Sequence, residues 1–194
     1  MAEKGQETAH YDVHWQEEEF YYPPPEFIGQ ANCSDPSIFD RFTLDKFPEC
    51  FKEFADLLDW DKYWHTTLDT SDAPCWKWFV GGKLNASYNC VDRHLDQYRN
   101  KTAIHFVPEL EEEPIQHITY QELYRRVNEL AAVLQDSMGL KAGDRVTLHL
   151  PMTPELPITM LACARLGVIH SEVFAGFSGK ACGDRIWDSE SEVL

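Results

Sequence analysis

The sequence has few basic residues and no long apolar run. Its 17 lysines and arginines stand against 33 aspartates and glutamates, and the formal net charge is −16. Because nucleic acids and anionic membranes are bound by basic surfaces, this balance argues against a partner of either kind. No apolar stretch approaches the length of a membrane span, and the first twenty residues lack the apolar segment of a secretory signal. We therefore expect a cytoplasmic protein that binds neither nucleic acid nor membranes.

The sequence also lacks the cysteine spacing of a metal-binding or redox protein. Its six cysteines form no Cys-x-x-Cys pair and no Cys/His finger, so we interpret them as reduced thiols. Asp92, His94 and Asp96 resemble a metal-binding triplet. Residues two apart on a helix point to different faces, however, so we expect no metal site there.

Common nucleotide-binding and catalytic motifs are missing as well. Gly81-Gly82-Lys83 is not a phosphate-binding Walker loop, because Leu84 follows the lysine and Lys77 occupies the position of the first glycine. The chain has no Gly-x-Gly-x-x-Gly fingerprint and no Gly-x-Ser-x-Gly elbow. These absences argue against a dinucleotide-dependent dehydrogenase and an α/β-hydrolase, and we assign no catalytic residue.

The chain is predicted to have three segments, and composition marks the first of them. Residues 1–35 combine acidic residues, aromatics and the run Pro23-Pro24-Pro25. Because proline fixes φ and has no N–H donor, we expect an extended N-terminal arm there. Residues 36–100 form a second segment that is helical and rich in aromatic residues. Residues 101–194 form a third, in which helices alternate with apolar strands.

The second segment is predicted to contain short elements. Aromatic residues and leucines recur three and four apart over 36–64, which predicts amphipathic helix that Pro48 breaks in two. The polar stretch 65–75 predicts a loop, and the aromatic run after it predicts a strand. Residues 89–98 are predicted to form a helix that starts at Asn89.

The third segment begins with a predicted hairpin and a well-defined helix. Residues 103–107 and 115–118 are predicted to be the two strands, joined through an acidic loop. The helix over 120–136 has a capping box, in which Thr119 and Glu122 would each satisfy backbone N–H groups. Its apolar residues lie on one face.

Residues 145–177 read as a strand, a helix and a second strand, which is a parallel αβ unit. The strands are predicted at 145–150 and 168–174. The intervening helix is predicted to begin at Thr153 or Pro154, with Thr153 as its cap. A final helix is predicted to start after Ser178.

The second strand of this unit ends in Phe174-Ala175-Gly176-Phe177. In open parallel sheets, ligands bind beyond the carboxyl ends of the strands, and small residues let a ligand approach the backbone closely. A tight turn that simply needs glycine explains the same residues equally well. The residues alone leave both interpretations open.

Several runs in the chain resemble the N-terminal portion of AMP-forming acetyl-CoA synthetase, in the acyl-adenylate-forming superfamily. The resemblance extends from about Phe20 to Leu194. It is most specific over residues 78–94, which are typical of short-chain (acetyl or propionyl) members. The runs that carry it are Lys77-Trp78-Phe79-Val80-Gly81-Gly82-Lys83-Leu84-Asn85, Ser87-Tyr88-Asn89-Cys90, Asp92-Arg93-His94, Gly143-Asp144-Arg145-Val146, Met160-Leu161-Ala162-Cys163-Ala164-Arg165 and Phe174-Ala175-Gly176-Phe177-Ser178.

The resemblance implies an α/β fold: an incomplete N-terminal part of the adenylate-forming (AMP-binding) fold, with a helical, aromatic-rich extension before its parallel αβ units. Residues 36–100 would be the N-terminal region of the synthetase, and 101–194 the start of the AMP-binding domain. The implied activity is a ligase reaction that converts acetate, ATP and CoA to acetyl-CoA, AMP and pyrophosphate. Mg²⁺ would offset the phosphate charge.

The resemblance also implies a partial CoA-binding surface. It places Phe174, Ala175 and Gly176 beside the CoA adenine, with Ala175 where many relatives have glycine. The family's phosphate loop, adenine and acetate sites and catalytic lysine have no counterpart within residues 1–194, so we expect no activity from these residues alone. Alternatively, the chain is a non-catalytic interaction or regulatory module that pairs with a complementary C-terminal polypeptide or a full-length paralogue.

An unpaired sheet edge and an uncovered apolar face also predict that the isolated chain is marginally stable, oligomeric or prone to aggregation.

Overall fold

The computed structural model describes residues 22–32 and 35–194. The chain divides into two compact units, Met1–Asp45 and Lys46–Leu194. In the part of the chain that is described, no helix combines the length and the apolar character needed to cross a membrane.

The described residues of the first unit contain two short helices, α1 (Pro25–Gly29) and α2 (Ile38–Arg41). The prediction of an extended backbone is wrong at Pro25, which begins α1. Proline is tolerated there because the first N–H groups of a helix have no partner within it. Pro24 keeps the extended geometry, with φ −58° and ψ 147°. The predicted arm before Tyr22 lies outside the described residues.

An ion pair lies next to α2. Arg41 donates to the carboxylate of Asp35 over 2.7 Å, and the Ser37 hydroxyl donates to the same carboxylate over 2.8 Å. The hydrogen bond from Arg41, followed by those from Ser37, lowers the pKa of Asp35 to about 2.

The second unit contains six strands and six helices among its main elements. In chain order, the helices are α3 (Lys52–Ala55), α4 (Ala86–Cys90), α5 (Leu95–Tyr98), α6 (Tyr120–Ala132), α7 (Glu155–Leu166) and α8 (Gly179–Ser189). The strands are β1 (Thr66–Asp69), β2 (Lys77–Val80), β3 (Thr102–Phe106), β4 (Gln116–Thr119), β5 (Arg145–Leu148) and β6 (Ile169–Glu172). Short 3₁₀ helices cover Leu44–Lys46, Glu49–Phe51 and Asp92–His94.

The segment 36–64 is helical as predicted, but it consists of several short pieces rather than two helices. The predicted loop at 65–75 is wrong over its first half, because β1 pairs there in antiparallel register with β2, with Leu68 opposite Trp78. The β-branched residues of Thr66-Thr67 suit a strand, and the pairing satisfies their backbone groups. The aromatic strand that was predicted after this loop is confirmed as β2.

The predicted helix at 89–98 begins earlier and is interrupted. Asn85 caps α4 by accepting a hydrogen bond from the backbone N–H of Tyr88 over 3.1 Å. Asn89 lies inside α4, where its side chain binds both backbone groups of Asp59 at 2.8 and 2.9 Å. The helical path then breaks at Val91, with φ −125° and ψ −65°.

The predicted β3–β4 hairpin is confirmed, and α6 follows it directly. The Thr119 hydroxyl accepts from the N–H of Glu122 over 3.2 Å, but the Glu122 carboxylate binds Arg126 at 2.5 Å. Only half of the predicted capping box is therefore formed. After Ala132 the helix continues as a π-helical turn over Val133–Ser137.

The predicted parallel unit is confirmed as β5, α7 and β6. The two strands are neighbours in parallel register, with Val146 opposite His170. Helix α7 begins one residue later than predicted, and Pro154 rather than Thr153 occupies the cap position, without a side-chain hydrogen bond. The Thr153 hydroxyl instead binds the carboxylate of Glu155, and this bond lowers the pKa of Glu155.

The main core of the second unit lies among α6, α7 and the β5–β6 pair. Its enclosed side chains come from α6, α7 and β5 and from the segments before them, and they include Val91, Ile118, Val127, Val146, Ala162 and Cys163. The other edge of β5 is also occupied, because Val146 forms a parallel bridge with Val193. The fold class is therefore α/β with parallel strands, as predicted.

Candidate functional site

The predicted site residues Phe174, Ala175 and Gly176 share one exposed turn beyond β6. The backbone N–H of Val173 donates to the carbonyl of Leu148 over 2.8 Å, which fixes the end of β6 beside the end of β5. The N–H of Phe177 then donates to the carbonyl of Phe174 over 3.0 Å. This second bond closes residues 174–177 into a turn. The turn lies beyond the carboxyl ends of the two strands, which is the side on which open parallel sheets generally bind ligands.

His149 connects this turn to the end of β5. Its Nε2 lies 3.3 Å from the carbonyl oxygen of Ala175, so a protonated Nε2 donates to that oxygen. Sequence analysis assigned His149 no role in the site. The register of the strands was the missing information, because it aligns the residue after Leu148 with the turn after Glu172.

Two aromatic rings and one cation form the outer surface of the turn. The rings of Phe174 and Phe177 meet edge to face, with centroids 5.9 Å apart. The guanidinium carbon of Arg185, on α8, lies 4.5 Å from the Phe177 ring centroid, within the range of a cation–π contact. Sequence reasoning did not identify Arg185, although its place two turns into a helix that starts beside the turn could have indicated it.

The backbone of Gly176 lies directly against the Phe174 ring. A Cβ atom at this position would come within 2.7 Å of Cε1 of Phe174, so the aromatic ring would have to move. The Phe174 side chain is 64% exposed and nevertheless lies against this backbone. The exposed Ala175 presents only a methyl group. The turn therefore offers accessible backbone beside one aromatic ring, with a cation over the second ring, and this combination suits a flat, anionic ligand.

The residue that follows the turn, Ser178, caps the N-terminus of helix α8. The Ser178 hydroxyl accepts from the N–H of Ala181 over 3.3 Å, and Ser178 keeps extended backbone angles. This is the geometry of an N-cap, and it confirms the predicted helix after Ser178.

The other candidate groups do not join this turn. The carboxylate of Asp92 is bound by Arg165, with 3.0 Å between Nη1 and Oδ1. No group of three or more possible metal ligands occurs among residues 22–32 and 35–194. Burial, followed by the nearby charge of Glu172, raises the pKa of the Cys163 thiol to about 11, so this thiol is not an activated nucleophile.

Two family models match consecutive parts of the chain. The model described as acetyl-coenzyme A synthetase N-terminus matches residues 41–90, and the model described as AMP-binding enzyme matches residues 91–194. The chain belongs to the AMP-binding enzyme family. The resemblance to the N-terminal portion of acetyl-CoA synthetase is confirmed, and the α/β fold is the incomplete N-terminal part of the AMP-binding architecture. The two models meet at Cys90 and Val91, where α4 ends.

Curated relatives of the AMP-binding enzyme family support the same assignment. The chain is 46% identical over 166 residues to acetyl-coenzyme A synthetase of Pyrobaculum aerophilum, covering 80% of this chain and 24% of that protein. It is 42% identical over 181 residues to the acetyl-coenzyme A synthetase of Wolinella succinogenes, covering 91% of this chain and 27% of that protein. It is 45% identical over 178 residues to the acetyl-coenzyme A synthetase of Mycolicibacterium smegmatis, covering 90% of this chain and 18% of that protein. The chain therefore spans about a quarter or less of the length of these relatives.

Proposed function

We propose that this chain supplies the N-terminal region of an acetate–CoA ligase. Such an enzyme joins acetate to the α-phosphate of ATP, releases pyrophosphate, and then transfers the acyl group to CoA with release of AMP. The proposal is supported by the two family models over residues 41–194 and by relatives that are named acetyl-coenzyme A synthetase. The complete enzyme would use ATP, CoA and Mg²⁺, and Mg²⁺ would offset the charge of the ATP phosphates.

The 174–177 turn is the part of the chain that we assign to CoA. The observation that carries this assignment is the exposed backbone at Ala175 and Gly176, held beyond the carboxyl ends of β5 and β6 by the hydrogen bond from Val173 to Leu148. The Phe174 ring would contact the flat adenine. Arg185 would contribute positive charge toward the phosphate groups, which matters in a chain whose net charge is −16.

Residues 1–194 are proposed to have no synthetase activity on their own, because no residue among them is assigned to ATP, acetate or the adenylation step. The test is incubation of this polypeptide with acetate, ATP, Mg²⁺ and CoA, with pyrophosphate and acetyl-CoA measured. We expect neither product above the rate without protein. Turnover that increases with protein concentration would contradict the proposal.

A complementary C-terminal polypeptide is the partner that we propose for these residues. An apolar cavity of about 340 Å³ beside β5 supports a covering partner, and its lining includes Leu134, Met138, Leu148 and Val193. Mixing residues 1–194 with a polypeptide that contains the remaining three-quarters of a similar synthetase should restore acetyl-CoA formation. If the two polypeptides associate without activity, the result favours the alternative of a non-catalytic interaction module.

We also propose a cytoplasmic location, as expected for an enzyme that uses ATP and CoA. In the described part of the chain, Cys50, Cys75, Cys90, Cys163 and Cys182 are free thiols, which fits a reducing compartment.

A further inference from the structure

Two histidines face each other across the β3–β4 hairpin. His105 and His117 are directly opposite in the antiparallel register. Their Nδ1 atoms are 2.8 Å apart, and their ring centroids are 4.8 Å apart with the planes at 86°. Both side chains are exposed, and neither takes part in the 174–177 turn. The two Nδ1 atoms are therefore within hydrogen-bond distance, with the donor set by the tautomer, and a neutral imidazole can bind a metal ion through either ring nitrogen.

The separation of the two nitrogens suits one metal ion held by both rings. Two imidazole nitrogens, each about 2.0–2.1 Å from an ion, are about 2.9 Å apart at a bond angle of 90° and about 3.3 Å apart at the tetrahedral angle. The observed 2.8 Å is close to the first value. Adjacent positions at 90° occur in the square-planar and tetragonal geometries of Cu²⁺ and Ni²⁺, and imidazole is a preferred ligand of both ions. Rotation of the exposed rings would turn the two Nδ1 lone pairs from each other toward the ion.

Packing against the main core fixes the position of the hairpin that carries the two histidines. Ile118, next to His117, is only 2% exposed and belongs to the main core, and Ile104, next to His105, packs against that core. Because successive strand residues point to opposite faces, burial of these isoleucines fixes the histidines on the outer face. Ligands held in place by such packing lose little freedom when an ion binds.

The charge around the hairpin also favours a cation. The connection between β3 and β4 contains Glu109 and the run Glu111-Glu112-Glu113, and it carries no lysine or arginine. This acidic loop, with the net charge of −16, raises the local concentration of divalent cations. Water molecules would complete the coordination sphere.

We propose that His105 and His117 together chelate a divalent transition-metal ion, Cu²⁺ or Ni²⁺, on the outer face of the β3–β4 hairpin. The two-residue site depends on the folded hairpin, because the strand pairing brings the side chains together. An ion bound there should therefore stabilise the folded chain.

Copper titration of the full 194-residue chain tests the proposal, with calorimetry and electron paramagnetic resonance as readouts. The parent chain should bind one Cu²⁺ ion that shows two imidazole nitrogens in its spectrum. His105→Gln or His117→Gln should weaken that binding at least about tenfold, as expected when one ligand worth about 1.4 kcal/mol is lost. The matched control is His65→Gln, at another exposed histidine, and this variant should bind as the parent does. Unchanged copper affinity and spectrum in the double variant would overturn the proposal.

A thermal measurement separates loss of the site from loss of the fold. Ni²⁺ should raise the Tm of the parent chain and of His65→Gln, but not that of the His105→Gln/His117→Gln double variant. The metal-free double variant should keep the circular dichroism spectrum of the parent, since both side chains are on the surface. An equal rise in Tm for the parent and the double variant would also reject the site.

Discussion

Arg165 binds both carboxylate oxygens of Asp92, which lies 73 positions earlier in the chain. The two side chains are 19% and 17% exposed. Arg165 Nη1 also donates to Oδ1 of Asn128 over 3.1 Å, and the guanidinium lies over the Tyr124 ring. The pair joins the end of α7 to α6 and to the short helix that follows α4. Asp92 is thus a structural anchor for the boundary between the two family matches.

Removal of this guanidinium should destabilise the second unit. Arg165→Ala leaves a largely enclosed carboxylate without its charged partner, and we expect the free energy of unfolding to fall by about 2–3 kcal/mol. Urea unfolding followed by tryptophan fluorescence measures the change. Arg125→Ala is the control, because its pair with Glu129 is exposed and should contribute about 0.5 kcal/mol or less. Equal losses of unfolding free energy in the two variants would show that the burial of the Arg165–Asp92 pair does not increase its contribution to stability.

Asn85 should stabilise the folded chain through two separate hydrogen bonds. Its Oδ1 caps α4, and its Nδ2 donates to the carbonyl of Arg165 over 3.0 Å. Asn85→Ala removes both bonds and should lower the free energy of unfolding by about 1–2 kcal/mol. Asn85→Asp keeps the cap but loses the donor, so urea titration should give an intermediate value. If the aspartate variant is as unstable as the alanine variant, the cap itself contributes little.

Gly176 should control CoA use if the proposed function is correct. In an active assembly of this chain with its complementary polypeptide, Gly176→Ala displaces the Phe174 ring and should raise the KM for CoA about 3–10-fold. The KM values for ATP and acetate should not change. Gly179→Ala is the matched control, because a Cβ atom at that position meets nothing within 4 Å. A rise in KM for all three substrates would show a general structural defect instead.

The Cys163 thiol should make stability decrease at high pH. Its pKa is raised from 9.0 to about 11 in the folded chain, mainly by burial. Between these values the unfolded chain has lost the proton that the folded chain retains, so stability is full below about pH 9 and falls as the pH rises toward 11. The expected loss is about 2–3 kcal/mol. Urea unfolding at a series of pH values should show a flatter decline for Cys163→Ala than for the parent, and parallel declines would contradict the assignment.

The isolated chain should self-associate through its exposed apolar side chains. Trp187 is 85% exposed and Met152 is 77% exposed, so both present apolar surface that a second copy of the chain could cover. Analytical ultracentrifugation should show oligomers whose proportion grows with concentration, and Trp187→Gln should reduce them. A single monomeric species across the concentration range would contradict this expectation.

The sequence predicted the elements whose signals are local. The caps of the helices after Thr119 and Ser178 depend on residues within a few positions of one another, and each strand of the hairpin and of the parallel unit carries its own apolar pattern. The errors occur where distant contacts decide the structure. Strand β1 forms because β2 pairs with it, and Asn89 was taken for a helix start because its contacts with Asp59 are invisible in the sequence. The same limit hid His149, whose contact with Ala175 depends on strand register.

The bridge between Val146 and Val193 places a second chain segment beside β5, on the edge that β6 does not occupy. The chain leaves β5, passes through α7 and returns on one side of β5 as β6; after α8 it returns on the other side. Since crossovers between parallel strands are almost always right-handed, a reversal of this kind sends successive helices to opposite faces of the sheet. In open α/β sheets a reversal of this kind separates the loops at the carboxyl ends of the strands and forms a ligand crevice, which here would lie beyond β5, beside His149.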